Sequence, residues 1–131
     1  MYPQGYIVGT METAHYGKAV LDELSPLHRE LRHAIPDVYK GFQALHGAAF
    51  AEGALDVKTK ELIALAIAVI DRCDGCIASH AQGAARAGAT RQEAAEAIGV
   101  AILMSGGPGT IYGPRAFAAF TEFAEMAAAR S

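Results

Sequence analysis

Apolar and polar residues recur along this chain with the spacing of α-helices, and few stretches alternate with the period of a β-strand. The clearest element is a helix that we expect to follow an Asp56 N-cap and to end near Asp71. Its centre, Leu62–Ile70, is an apolar run of nine residues. Because the run is apolar on every side, we expect this helix to be surrounded by protein. It is too short for a bilayer, which needs about 20 apolar residues.

Capping and turn-forming residues divide the chain into about six helical segments. Residues 1–11 contain Pro and Gly and are predicted to form an irregular arm. Ser25 and Pro26 are typical of a helix start, so we expect a new short segment to open there and to end at Ala34. A flexible break is predicted over residues 105–109. The other predicted helices cover approximately residues 12–24, 38–51, 57–71, 73–87, 91–104 and 110–129.

The composition supports an all-α fold. Alanine supplies 28 of the 131 residues and has the highest helix propensity of the amino acids. The length suits one domain and leaves too few residues for the core of a second. We therefore predict a single compact all-α bundle over residues 1–131. Small side chains also allow helices to approach closely, both within a bundle and between subunits.

The balance of charged residues and the first six residues argue against two classes of protein, nucleic-acid-binding and secreted. Asp and Glu number 14 against 11 Lys and Arg, and no basic stripe is visible, which argues against a nucleic-acid surface. Residues 1–6 lack the basic and apolar regions of a secretion signal, so the expected location is cytoplasmic. We expect neither nucleic acid nor membrane among the partners. A purely structural disulfide is not expected in such a reducing compartment.

Candidate chemistry is concentrated at Cys73, Cys76 and His80. On a helix these residues occupy positions i, i+3 and i+7 and share one stripe. Cys76 lies near a helix N-terminus and one turn before His80, and both features lower a thiol pKa. We therefore predict that Cys76 is the attacking sulfur and that Cys73 closes a disulfide with it. Gly75, between them, leaves room for that closure.

Other interpretations stay open at this point. Glu61 suits the first turn of a helix, where the dipole favours an acid, but it also suits a buried position if another group pairs with it. The cysteine pair with His80 fits half of a zinc site, although the sequence has no second cysteine pair, and we favour redox chemistry over a metal. The remaining histidines are expected to be surface or structural residues: His15, His28, His33 and His46.

Four stretches together resemble the core domain of the alkyl hydroperoxidase D-like (AhpD-like) branch of the carboxymuconolactone decarboxylase-like family. They are Lys60–Leu62 at the start of an apolar helix, Cys73–His80, Gly88–Glu93 and Ser105–Pro108. The resemblance covers roughly residues 35–125. A lone C-x-x-C pair would not be specific, but here a glutamate, two cysteines and a histidine coincide at the family's spacing.

The resemblance implies an all-helical fold that assembles into a homotrimer or homohexamer, with active sites near the subunit contacts. It implies reduction of an organic hydroperoxide, an antioxidant activity without a metal, flavin or other cofactor. In the family, the residue at the position of Cys76 becomes a sulfenic acid, and the one at Cys73 is the proton donor and resolving thiol. The positions of Glu61 and His80 relay protons. An external dithiol, lipoamide-type in the best understood branch, or an adaptor protein then reduces the disulfide.

Two other functions would use the same residues. One is a thiol–disulfide oxidoreductase with little peroxidase activity, and the other is a non-catalytic, redox-sensing oligomer. The decarboxylase branch of the family lacks the cysteine pair, so the resemblance does not imply decarboxylation. Gly75 stands where many relatives carry an aromatic residue.

Overall fold

The computed structural model describes residues 15–130, which form six α-helices and no β-strand. The predicted all-α bundle is confirmed. The predicted irregular arm over residues 1–11 lies outside the described residues. The helices are α1 Lys18–Ala34, α2 Pro36–Phe50, α3 Val57–Asp71, α4 Asp74–Arg86, α5 Arg91–Ser105 and α6 Gly107–Arg130.

Side-chain caps fix the starts of α3 and α5 where the sequence predicts them. The carboxylate of Asp56 accepts a hydrogen bond of 2.8 Å from the Thr59 amide at the first turn of α3. At α5, Thr90 Oγ1 accepts from the Glu93 amide, and Glu93 Oε1 accepts from the Thr90 amide, at 3.0 and 2.8 Å. These bonds satisfy amide groups that have no partner inside the helix.

Three predicted boundaries are wrong. Residues 15–17 lie outside the α-helix, so α1 begins at Lys18 and not near residue 12. The same helix then continues through Pro26. Proline removes one helical hydrogen bond, and on this exposed helix the freed carbonyl can bond water. The predicted break over residues 105–109 is reduced to Gly106, whose φ of 71° turns the chain in one step between α5 and α6.

The core lies between α3, α4, α5 and α6. Its large, fully buried side chains are Phe120, Leu65, Ile77 and Val69. Most of the remaining core is alanine, which lets neighbouring helices approach closely. Helices α1 and α2 contain no buried residue; α1 lies against α4, and α2 lies against α1 and α3. The outer pair of helices therefore lies beside the bundle and does not contribute to its centre.

Helix α3 is not surrounded by protein as the sequence predicts. Leu65 and Val69 are fully buried, but Ile63, Ile67 and Ile70 are 46%, 51% and 40% exposed. The exposed residues lie at i, i+4 and i+7, so they form one apolar stripe on the face that the other helices leave uncovered. Despite this apolar surface, no described helix is long and apolar enough to cross a membrane.

Candidate active site

A tight turn between α3 and α4 positions the two cysteines. Arg72 adopts the left-handed conformation (φ 55°, ψ 45°), and its amide donates to the carbonyl of Val69. The next amide, that of Cys73, donates to the carbonyl of Ala68 at 3.2 Å. Cys73 thereby becomes the N-cap of α4, and its Sγ accepts a hydrogen bond of 3.4 Å from the Cys76 amide. One left-handed residue thus places both thiols at the start of α4.

The two sulfurs face each other as free thiols. Their Sγ atoms lie 2.9 Å apart, joined by a thiol–thiol hydrogen bond. Cys73 is half-buried, and Cys76 is the more exposed of the two. The proximity that the C-x-x-C spacing predicts is therefore present in the structure.

The pKa of Cys76 is raised from its ordinary value of 9.0 to about 11. The largest cause is partial burial of the thiol by the surrounding protein, followed by the hydrogen bond and the negative charge of Cys73; Asp71 adds a further negative charge. The predicted lowering of this pKa is wrong. The helix amide donates to the sulfur of Cys73 and not to that of Cys76, and His80 has a different partner. Two thiols this close lose their protons as a coupled pair, and the second proton is held tightly.

His80 is paired with Glu61 across the contact between α3 and α4. Its Nδ1 lies 2.7 Å from Oε1 of Glu61, and the two side chains are only 18% and 12% exposed. Glu61 is therefore the buried, paired carboxylate, one of the two alternatives that its sequence position allows. Because a carboxylate accepts hydrogen bonds, we infer that neutral His80 carries its proton on Nδ1. Its Nε2 is then the nitrogen that can accept a proton.

This pairing depends on Gly83, which lies one turn after His80 on α4. A Cβ atom at this position would lie 2.7 Å from Oε1 of Glu61 and closer still to Oε2. Any side chain here would therefore displace the carboxylate. Sequence reasoning missed Gly83; the available signal was a glycine inside a predicted helix, where it is about 1 kcal/mol less favourable than alanine.

A cavity of about 500 Å³ opens beside the thiols, between α1, α2 and α4. Both cysteines and His80 lie along one side of it. Lys, Arg, Asp and Glu are absent from the described residues that line it. The other lining residues are Leu21, Leu24, His28, Phe42, His46, Gly75 and Ser79.

Two of the histidines that the sequence predicts to be surface or structural residues thus reach the cavity. His28 is exposed, and its Nδ1 lies 3.0 Å from the hydroxyl of Tyr39. His46 is also exposed, and its ring stacks on that of Phe50. Nothing in the sequence relates positions 28 and 46 to the cysteines, because the contact depends on how α1 and α2 fold back over α4.

The described residues offer no alternative site for a metal. Within residues 15–130, His, Cys, Asp and Glu side chains form no group of three or more that could hold a metal ion. The half zinc site considered for the cysteine pair therefore finds no further ligands in that part of the chain.

A family model supplies the deciding comparison. The model of the carboxymuconolactone decarboxylase family matches residues 36–129, a range that includes Glu61, both cysteines and His80. The chain belongs to this family. The AhpD-like core that the sequence resembles lies within the carboxymuconolactone decarboxylase family, so the resemblance is confirmed.

Similar proteins support the same conclusion. An uncharacterized protein of Cupriavidus necator is 40% identical over 103 residues, which cover 79% of this chain and 91% of that protein. The crystal structure of apo-lpg0406, a carboxymuconolactone decarboxylase family protein from Legionella pneumophila, has a TM-score of 0.72 and 42% identity, covering 86% of this chain and 96% of that one. TM1620 from Thermotoga maritima has a TM-score of 0.74 and 31% identity, with 83% and 96% covered.

Proposed function

We propose that this protein is a thiol-dependent peroxidase of the AhpD-like type, which reduces organic hydroperoxides and serves in antioxidant defence. The observation that carries the proposal is the pair of free thiols, with sulfurs 2.9 Å apart, beside the buried pair of His80 and Glu61. Membership of a family that includes AhpD-like peroxidases supports it.

In the first step, the thiolate of Cys76 attacks the terminal oxygen of the hydroperoxide. An S–O bond forms, the O–O bond breaks, and the sulfur is oxidised to a sulfenic acid while the peroxide is reduced to an alcohol. Cys76 is assigned this role because it is the more exposed thiol. Since its pKa is raised to about 11, its proton must pass to another group when it attacks. Nε2 of His80 is the acceptor that we propose.

In the second step, the sulfur of Cys73 attacks the sulfenic acid of Cys76. A disulfide forms, the S–O bond breaks, and the departing hydroxide takes a proton to leave as water. Two electrons have then moved from the thiol pair to the peroxide. An external dithiol, of the lipoamide type or carried by an adaptor protein, returns them by thiol–disulfide exchange. Because thiols and peroxide supply all the electrons, no metal or organic cofactor enters the proposal.

The cavity lining favours one class of substrate, and the thiol chemistry favours one cellular compartment. Apolar groups and uncharged polar groups line the described walls, so an uncharged hydroperoxide with an apolar substituent fits better than a charged one. Thiols that must be reduced after every turnover suit a reducing compartment, which favours the cytoplasm.

The test is to replace each cysteine separately. We expect Cys76→Ser to abolish consumption of tert-butyl hydroperoxide in the presence of dihydrolipoamide. Cys73→Ser should react once, leaving a sulfenic acid on Cys76 that dimedone traps and mass spectrometry locates. Cys73 is needed only for the second step, so this variant should not turn over.

Three outcomes contradict the proposal. Undiminished peroxidase activity in Cys76→Ser would exclude the assignment of the attacking sulfur. A wild-type protein that reduces a small disulfide much faster than a hydroperoxide would be a thiol–disulfide oxidoreductase. A single oxidation that changes the oligomer size without turnover would identify a redox-sensing oligomer.

A further inference from the structure

His46 lines the same cavity as the thiols, but from a different helix. The lining contributed by α4 includes the two cysteines, Ser79 and His80. Helix α2 contributes His46 and Phe42. A peroxide that reaches Cys76 through this cavity therefore enters a space that the imidazole of His46 also lines.

Three nearly parallel rings hold His46 close to His80. The centroids of His46 and Phe50 are 4.6 Å apart, and those of Phe50 and His80 are 5.5 Å apart, with interplanar angles of 20° and 12°. The centroids of the two imidazoles themselves are 6.2 Å apart, at 10°. Stacking of this kind favours a defined ring orientation. His46 is thus fixed relative to the histidine that serves the thiols.

The end of α2 that carries His46 and Phe50 also contacts α3. The ammonium group of Lys60 donates hydrogen bonds to the backbone carbonyls of Ala49 and Ala51, at the C-terminus of α2. A positive charge is favourable there because the last carbonyls of a helix are unpaired and the dipole is negative. The next residue, Glu61, is the one that holds His80. The same turn of α3 therefore positions both histidines.

We infer that His46 donates a proton to the oxygen that leaves the peroxide, an inference that rests on the proposed peroxidase function. The leaving alkoxide is strongly basic and needs a proton as the O–O bond breaks. Nδ1 of His80 is engaged by Glu61, and its Nε2 is the acceptor for the thiol proton. The step then balances: Cys76 thiolate, hydroperoxide and His46 imidazolium give sulfenic acid, alcohol and neutral imidazole. Water subsequently reprotonates His46.

The test varies the leaving group. tert-Butyl hydroperoxide releases a basic alkoxide, whereas peracetic acid releases acetate, which leaves without a proton. The rate of Cys76 oxidation in a single turnover is measured for wild type, His46→Phe and His46→Gln with both oxidants. We expect the variants to lose about 100-fold with the hydroperoxide, at the low end of general acid catalysis, and less than about threefold with the peracid.

Two controls separate this role from a structural one. His46→Phe retains an aromatic ring for the stack, so a residue needed only for stacking would leave this variant fully active. His33→Gln makes the same change as His46→Gln at an exposed residue of α1 that is not among those lining the cavity, and should match the wild type with both oxidants.

The inference about His46 and the proposed function fail in different ways. Equal losses with both oxidants, or a wild-type rate for His46→Phe with the hydroperoxide, would overturn the role of His46 and leave the peroxidase assignment intact. A wild-type protein whose Cys76 reacts with neither oxidant would overturn the peroxidase assignment itself.

Discussion

At the residue scale, the chemistry depends on where the proton of the thiol pair resides. The first amide of α4 donates to the sulfur of Cys73, while burial and the neighbouring thiol both oppose a negative charge on Cys76. The exposed sulfur of Cys76 thus holds its proton more tightly than an ordinary thiol does. In the proposed reaction, attack on a peroxide requires transfer of that proton, which is why the neighbouring imidazole of His80 matters.

This arrangement predicts the pH dependence of alkylation. Because the pKa of Cys76 is raised to about 11, its reaction with iodoacetamide should increase with pH up to that region in the wild type. Cys73→Ser removes a neighbouring charge and a thiol hydrogen bond that raise the pKa, so the midpoint should shift to lower pH. Burial and Asp71 remain, so it should stay above the ordinary value. Mass spectrometry resolves the alkylation at each cysteine.

The charge of Asp71 provides a graded comparison. It is the last of the causes that raise the pKa of Cys76, so Asp71→Asn should lower the alkylation midpoint by less than Cys73→Ser does. An unchanged midpoint in Cys73→Ser, or a wild-type midpoint below the ordinary thiol value, would contradict the geometry of the pair.

Part of this site could be predicted from the sequence. Helical spacing and the family resemblance placed Cys73, Cys76 and His80 together, and the resemblance drew attention to Glu61. The direction of the pKa shift of Cys76 could not be predicted, because its largest cause is burial of the thiol, which depends on how the helices pack around it. The cavity position of His46 was also unpredictable, since it depends on how a separate helix folds back.

At the scale of the elements, the close packing of α3 on α4 should be sensitive to a single methyl group. Gly83→Ala would place that methyl against the carboxylate of Glu61 and separate it from His80. We expect peroxidase activity to fall by about tenfold or more, and Glu61→Gln to have a similar effect, because each change would break the proposed proton relay through His80. Activity with tert-butyl hydroperoxide is the measurement.

Gly99→Ala is the matched control on α5. It makes the same change inside a helix, but a Cβ there meets no atom of the described structure within 4 Å. Activity should be unchanged, and the unfolding free energy in urea should rise by about 0.5–1 kcal/mol from improved helix propensity. Full activity in Gly83→Ala would show that Glu61 is not needed where the structure places it.

The helices themselves were largely predictable, because caps such as Asp56 and Thr90 mark their starts by local chemistry. The errors arose where local signals have two outcomes. Pro26 begins many helices but is tolerated within an exposed one, and the glycines after Ser105 suit either a flexible loop or one sharp turn. Packing against the other helices decides between the two outcomes in each case. A few neighbouring residues of the sequence do not determine that packing.

At the scale of the whole molecule, apolar side chains remain uncovered on several helices, and two sets of them lie on α3 and α5. One set is the stripe of Ile63, Ile67 and Ile70 on α3; the other is Val100, Leu103 and Met104 on α5, where Leu103 is 80% exposed. Apolar patches of this kind on a folded chain mark contacts with other molecules. We propose that copies of this chain cover them in a homotrimer or homohexamer.

The assembly can be tested on α5, away from the thiols. Leu103→Glu introduces a charge that would be buried without a partner in a subunit contact, so it should shift the mass measured by light scattering to smaller species. Gln92→Glu adds the same charge on the same helix at a polar, exposed position and should leave the mass unchanged. A wild-type protein that is monomeric at all accessible concentrations would contradict the proposal.

The short separation of the two cysteines has a consequence for the oxidised protein. They are three positions apart, so a covalent bond between them closes a ring of about four residues. Such a ring removes little freedom from an unfolded chain, about 2 kcal/mol on the usual entropic account. The oxidised form should therefore melt only about 7 °C above the reduced form. A reductant would have to overcome the sulfur chemistry and about 2 kcal/mol of folding energy. The architecture can thus remain intact through repeated redox cycles.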